Sequence, residues 1–352
     1  MRARELTAAG ITAPELRRSY LECRRLNAAH GRTYFLATLL LPAWKRPYVH
    51  ALYGFARYAD EIVDDLDSTL PDRERAAWLH GWSAEFLAQA RSGLRVAPRD
   101  GTAPGGGGTG GGGTGGGGTG VGGTAATSVL PAVIDTIGRW GIPLEYFRAF
   151  LQSMAMDLTV TSYATWEDLM AYVHGSAVVI GLQMVHVLEA AGPAALPYAR
   201  DLGAAFQLAN FIRDVGEDLR RGRVYLPRES LDLFGVTPQH LRAGVVDGPV
   251  RRLLAFEISR ARELFRAARP GIRLLHPTSR DCVGTAFRLY SGILDEVERA
   301  DYQVLDRRVS VGLARRVAVA GPGIVRAAHI RRIHADPGVR PPGDAPYYRP
   351  GF

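Results

Sequence analysis

Cysteine is nearly missing from this 352-residue chain, which carries only Cys23 and Cys282, far apart in sequence. Two such thiols exclude a disulfide framework and a four-ligand cysteine zinc site; they read as partly buried groups in a reducing compartment. Long apolar runs are scarce as well. The longest, around Phe35 to Pro42, falls short of the roughly 20 residues that cross a bilayer. The opening Met1-Arg-Ala-Arg-Glu-Leu lacks the apolar stretch of a secretory signal. No zinc-finger spacing, RNP-like aromatic motif or helix-turn-helix signal marks a nucleic-acid binder. No glycine-rich strand-to-helix fingerprint marks a nicotinamide cofactor. These absences predict a cytoplasmic chain, at most peripheral at the inner face of a membrane, with no nucleic-acid partner and no NADPH.

What is present begins with positive charge. The chain holds 43 Lys+Arg against 35 Asp+Glu, a net charge of +8, which suits anionic lipid or phosphorylated small molecules. Positions 101–123 form a near-repeat of Gly-Gly-Gly-Gly-Thr. Such a stretch behaves as a flexible coil, and we read positions 99–128 as an insert between helices rather than a domain linker. A second disordered stretch is expected at 337–352, and positions 1–13 read as an N-terminal extension. Elsewhere apolar residues recur every three or four positions and β-branched alternation is scarce, which predicts an all-α chain. Helices are expected over 14–29, 46–67, 72–92, 129–140, 143–158, 166–190, 195–221, 249–274 and 278–301. Pro47, Pro143, Pro197 and Pro277 punctuate helix starts, and Gly222 an end.

Two of these helices carry polar stripes. Tyr53, Arg57, Asp60 and Asp64 fall at offsets 0, 4, 7 and 11, and Gln207, Asn210, Asp214 and Asp218 at 0, 3, 7 and 11. Each set shares one helix face at about 100° per residue. Both helices are otherwise apolar, and carboxylates on a buried helix need a compensating cation. Oxygen donors with no nearby cysteine or histidine suit Mg²⁺. A solvated helix face would also carry acids four apart, and Glu217 would then pair with Arg213 or Arg221; the duplication of the pattern favours the metal. The second stripe exits through Arg220-Arg221-Gly222-Arg223-Val224-Tyr225-Leu226-Pro227. Three arginines and a tyrosine read as a clamp on a diphosphate, while basic residues at a helix end also cap its dipole.

The run from Gln207 to Pro227 closely resembles the second aspartate-rich motif of the squalene/phytoene synthase family. Tyr53 to Asp65 looks like the first motif, and Arg32-Thr33-Tyr34-Phe35 to Pro42 is similar to the substrate flap. Tyr172 to Gly181 matches the helix before the second motif, and Tyr290 to Leu294 and Arg308-Val309 echo the closing helices. Two departures stand out: Thr33 replaces the usual serine and keeps a hydroxyl, and Val178 replaces a small residue, which reshapes the expected prenyl channel.

The resemblance implies the all-α isoprenoid synthase fold over positions 14–320, with both stripes facing a central cavity. Asp60, Asp64, Asn210, Asp214 and Asp218 would hold Mg²⁺, with Mn²⁺ as a substitute. Thr33, Tyr34, Arg57, Gln207, Arg213, Arg223, Tyr225 and Tyr290 would bind the substrate, while Tyr53, Tyr172 and Tyr290 border the reacting carbons. The implied reaction joins two geranylgeranyl diphosphates head to head through a cyclopropylcarbinyl diphosphate, giving phytoene without a reductant. The Val-Gly-Glu-Asp and Arg-Gly-Arg-Val-Tyr-Leu-Pro wording looks like the phytoene-forming members. Members that act on farnesyl diphosphate to give squalene or presqualene diphosphate share nearly all of it. A non-catalytic assembly factor on this fold would be expected to have lost aspartates, and all four are present. The implied partners are the prenyl diphosphates, a membrane surface and a phytoene desaturase receiving the product.

Overall fold

The computed structural model describes residues 2–64, 72–96 and 123–334, and among these every regular element is helical. The first half runs through α1 (Arg2–Ala8), α2 (Pro14–His30), α3 (Arg32–Thr38), α4 (Arg46–Asp64), α5 (Asp72–Val96), α6 (Gly123–Trp140) and α7 (Leu144–Met156). Then come α8 (Trp166–Val173), a π-helical turn (His174–Val178), α9 (Val179–Val187) and the long α10 (Leu196–Arg220). Short α11 (Arg228–Leu233) and α12 (Pro238–Arg242) lead to α13 (Gly248–Ala268), α14 (Pro277–Arg299) and α15 (Leu313–Ile333).

The expected long helices are all found, with several changes. Helix 46–67 ends at Asp64 among the described residues, and positions 65–67 lie outside them. The insert assigned to 99–128 is shortened from its far side, because α6 begins at Gly123; positions 97–122 and the expected tail at 337–352 lie outside the described residues. The N-terminal extension packs on the body: Leu6 and Ile11 are buried, and Glu5 pairs with Arg24 and Arg46 at 3.1 and 3.0 Å. The single helix expected over 166–190 is interrupted by the π-turn. There Ser153 of α7 donates to the Tyr172 carbonyl at 3.2 Å. Contrary to expectation, one helical run, Trp166–Val187, is long and apolar enough to cross a membrane by length and composition; 56% of its most apolar window is buried inside the protein.

Two apolar cores organise the helices. In the first, Phe55 of α4 is fully buried among Trp82, Phe86, Phe147 and Phe150, with ring centroids 4.7–5.8 Å away. Removing such a ring costs about 3–5 kcal/mol. The second core gathers around α10, α13 and α14. The cores adjoin where the π-turn crosses α10 closely: a Cβ on Gly203 would stand 2.8 Å from the Ala177 carbonyl oxygen, so only glycine fits. One stripe therefore sits on a helix of each core.

The polar interior is sparse. Cys23 and Cys282 are free thiols, buried rather than partly buried, and burial pushes Cys282 up to about 12. Lys45, the chain's one lysine, is fully buried against Glu189 and donates to Ser279 Oγ at 3.0 Å. That pair ties the start of α4 to the α9–α10 connection and to α14.

Candidate active site

The first stripe lies on α4 with Tyr53, Arg57 and Asp60 half-buried. Arg57 donates from Nη1 to Asp60 at 2.7 Å and from Nε to Glu61 at 3.0 Å. Asp64 closes α4, and its side chain lies outside the described residues.

On α10 the second stripe is anchored more tightly. Arg213 grips Asp214 through Nε and Nη2 at 2.8 and 2.5 Å, and Arg308 reaches the same carboxylate at 2.9 and 3.1 Å. Gly216 makes the second contact possible. A Cβ there would lie 2.0 Å from the Leu305 carbonyl oxygen, and the Gly216 amide donates to Val304 at 3.2 Å. The close approach lays the segment after α14 directly on α10, with Arg308 over Asp214. Asp218 is not held in this way. Burial first, then the neighbouring Asp214, pushes its carboxyl up to about 7, against the opposing pull of Arg221 and Arg223.

Aromatic rings connect the stripes. Tyr34 of α3 packs 6.3 Å from Tyr53, 6.2 Å from Phe206 and 5.0 Å from Tyr290, while Phe206 and Tyr290 stack at 4.4 Å. Burial raises both the Tyr34 and the Tyr290 phenol, against the opposing pull of Arg213 on each. Tyr53, from the first stripe, feels Arg57, Tyr34 and Asp60, and burial pushes its phenol up to about 12. Tyr34, Tyr53, Arg57, Asp60, Arg213, Asp214 and Tyr290 thus form one neighbourhood.

A second ring group lies one turn along α10. Phe211 stacks on Tyr225 at 4.0 Å and 8°, and Tyr172 and Tyr163 lie 5.8 and 6.1 Å from Tyr225. Phe211, Asp218, Arg223 and Tyr225 line a narrow pocket. The Tyr172 hydroxyl donates to Asp157 at 2.8 Å and that of Tyr225 at 3.3 Å, while Arg223 Nη2 donates to the Asp157 carbonyl at 3.0 Å. Thr33, Gln207 and Asn210 are half-buried on the same helices, and their side chains enter no hydrogen bond among the described residues. Asp157 and the Arg308 contact escaped the sequence reading.

The donors fit a hard divalent cation. Asp60, Asn210, Asp214 and Asp218 offer only oxygen, and a carboxyl held near 7 is one whose charge the protein alone leaves under-compensated. Among the described residues no three acidic, histidine or cysteine side chains converge tightly enough to form a metal cluster.

Known proteins with the same features complete the picture. The family model for squalene/phytoene synthase matches residues 27–315. The chain is 35% identical over 306 residues to a phytoene synthase of Arthrospira platensis, covering 83% of this chain and 88% of that protein. It is 32% identical over 328 residues to the 15-cis-phytoene synthase of Synechococcus elongatus, covering 89% and 94%. Among solved structures, a dehydrosqualene synthase superposes with a TM-score of 0.72 at 22% identity, over 90% of this chain and 98% of that one. Squalene synthase HpnC from Alicyclobacillus acidocaldarius gives 0.67 at 26% identity, over 84% and 98%. The isoprenoid synthase fold follows, and the chain belongs to the squalene/phytoene synthase family.

Proposed function

We propose that this chain is a prenyltransferase that condenses two geranylgeranyl diphosphates head to head to phytoene. One observation carries the reading: arginine-held carboxylates stand beside buried Tyr290 and half-buried Tyr34 and Tyr53, whose phenols burial raises, so a diphosphate end adjoins a site for carbocations. The phytoene synthases to which it is 32–35% identical supply the choice of substrate.

Asp60, Asp64, Asn210, Asp214 and Asp218 are assigned to hold Mg²⁺, or Mn²⁺ in its place. Bound there, the ion would draw charge off a departing diphosphate. Arg57, Arg213, Arg223 and Tyr225, with Thr33, Tyr34 and Gln207 nearby, orient the phosphates, since guanidinium forks match their geometry. Departure of the first diphosphate leaves an allylic cation at C1. The C2–C3 double bond of the second substrate attacks it, and loss of a proton closes a cyclopropane ring. The second diphosphate then leaves, the skeleton rearranges to a 1-1′ linkage, and a further proton is lost, so no reductant is consumed. Tyr53, Tyr172 and Tyr290 present ring faces to these cations. Burial is the main force raising all three phenols, which keeps them protonated and poorly nucleophilic.

The product is a hydrocarbon, and we assign its exit to an anionic membrane on the cytoplasmic side, where a phytoene desaturase receives it. Helix α15 exposes Val317, Ile324, Val325 and Ile333 and carries five arginines with no acidic residue. That combination matches an anionic lipid surface.

Purified protein incubated with Mg²⁺ and geranylgeranyl diphosphate, without NADPH, should yield a C40 hydrocarbon by mass analysis. A C30 product from farnesyl diphosphate alone would move the chain to the squalene branch, and no product from either would sink the reading. Asp60→Asn and Asp214→Asn should each lower turnover by at least about a hundredfold with helical circular dichroism unchanged.

A further inference from the structure

We propose that Asp157 is a positioning residue, which holds Tyr172, Tyr225 and Arg223 as one unit at the edge of the reaction site; the proposal rests on the reading of function above. Asp157 caps the C-terminal end of α7. Exposed carbonyls make a helix end negative there, so a carboxylate is disfavoured by the helix itself. Its placement is explained instead by what it accepts. Two phenols converge on its carboxylate at 2.8 and 3.3 Å, one from α8 and one from the segment after α10, and its own carbonyl takes Arg223 at 3.0 Å. Neighbouring backbone bonds reinforce the junction: Val224 donates to Thr161 at 2.8 Å and Arg228 to Tyr163 at 2.9 Å.

The chemical consequence concerns direction. Tyr172 is 2% exposed and Tyr225 is 9% exposed, so each buried hydroxyl needs a partner. With Asp157 as that partner, the oxygens are tethered to it, Tyr225 stacks flat on Phe211 and Tyr172 packs beside it at 27°. Without it the hydroxyls lose their acceptor, the stack loosens and water gains entry. Water that meets the allylic cation adds through oxygen and loses a proton, giving a prenyl alcohol in place of a carbon–carbon bond.

The test compares Asp157→Ala, Asp157→Asn and Tyr172→Phe in the full chain. In Asp157→Ala, kcat for hydrocarbon should fall by at least about tenfold with KM within about twofold, and the share of prenyl alcohol should rise. Asp157→Asn keeps one oxygen acceptor and should recover most of the loss. Combined with Tyr172→Phe, Asp157→Ala should cost less than it does alone, because the two changes share the Tyr172–Asp157 bond and only the Tyr225 bond is left to lose. Unchanged kcat and alcohol share in Asp157→Ala, or fully additive losses, would overturn the proposal. Near-ultraviolet circular dichroism reads the tyrosine stack without substrate: it should weaken in Asp157→Ala and persist in Asp157→Asn. Should the wild type turn over neither diphosphate, the reading of function fails on its own, and an unchanged near-ultraviolet spectrum in Asp157→Ala would then overturn this proposal separately.

Discussion

His50 shows what burial does to a single titratable group. It is 1% exposed, stacks on Phe35 with centroids 5.6 Å apart, and faces the Asn27 amide across 2.9 Å. The amide donates, so the imidazole Nδ1 accepts. Burial, with smaller contributions from Arg24 and Arg46, pulls its pKa down to about 3; burial also lowers His186, to about 4. The folded state keeps both rings neutral, whereas the unfolded chain protonates them below about 6.5. Stability is therefore fully present above that value and is lost as pH falls toward the folded values, by up to about 1.4 kcal/mol per pH unit for each ring. Melting temperature measured between pH 7 and 5 should fall, and His50→Gln should flatten that slope; an equal slope in the variant would remove His50 as the cause. At this scale the sequence was most informative for residues that repeat. Asp60 on α4, and Asp214 and Asp218 on α10, declare themselves by their spacing with other polar residues on the same helix. Asp157 does not, because its partners come from other segments, although an acid at the C-terminal end of an apolar helix was an available signal.

Helices differ in how openly they announce themselves. Those with three or more turns of apolar periodicity, such as α2, α10 and α14, were legible from pattern and proline placement. Helices α3, α11 and α12, of seven, six and five residues, are too short to show a period. Helix α15 contains Gly321-Pro322-Gly323 in its interior, which argues against a helix on propensity alone. The segment between α14 and α15 is also invisible to periodicity, yet it delivers Arg308 to Asp214. It turns through left-handed Asp301 and Tyr302, at φ 54° and 60°, before crossing Gly216. Gly216→Ala should force that crossing apart. A loss of about 1–3 kcal/mol is expected, read as a lower melting temperature, together with weaker diphosphate binding as Arg308 withdraws. A variant as stable and as active as the parent would show that the crossing relaxes freely.

Across the whole molecule, the two cores position the stripes, and the surface carries the face proposed to meet a membrane. The net charge of +8 was legible from composition. Its meeting with an apolar face was not, because only folding brings Val317, Ile324 and Val325 out together on α15. The full chain should sediment with vesicles of phosphatidylcholine containing about one-third phosphatidylglycerol, and bind pure phosphatidylcholine less. Val317→Asp combined with Val325→Asp should weaken the partition about tenfold while leaving turnover in detergent intact. Equal sedimentation of parent and variant would rule the face out, and dissolution of a dimer by the variant would assign it to self-association instead.

The buried lysine has a practical corollary. Lys45 is the chain's one lysine, is 0% exposed and is closed in by Glu189, Ser279 and Trp44. A protease that cuts only after lysine finds no accessible bond in the folded protein and a single one in the opened chain. Cleavage at that bond, or acylation of that amine, therefore works as a built-in counter of global opening events, with one site and one product pair to score.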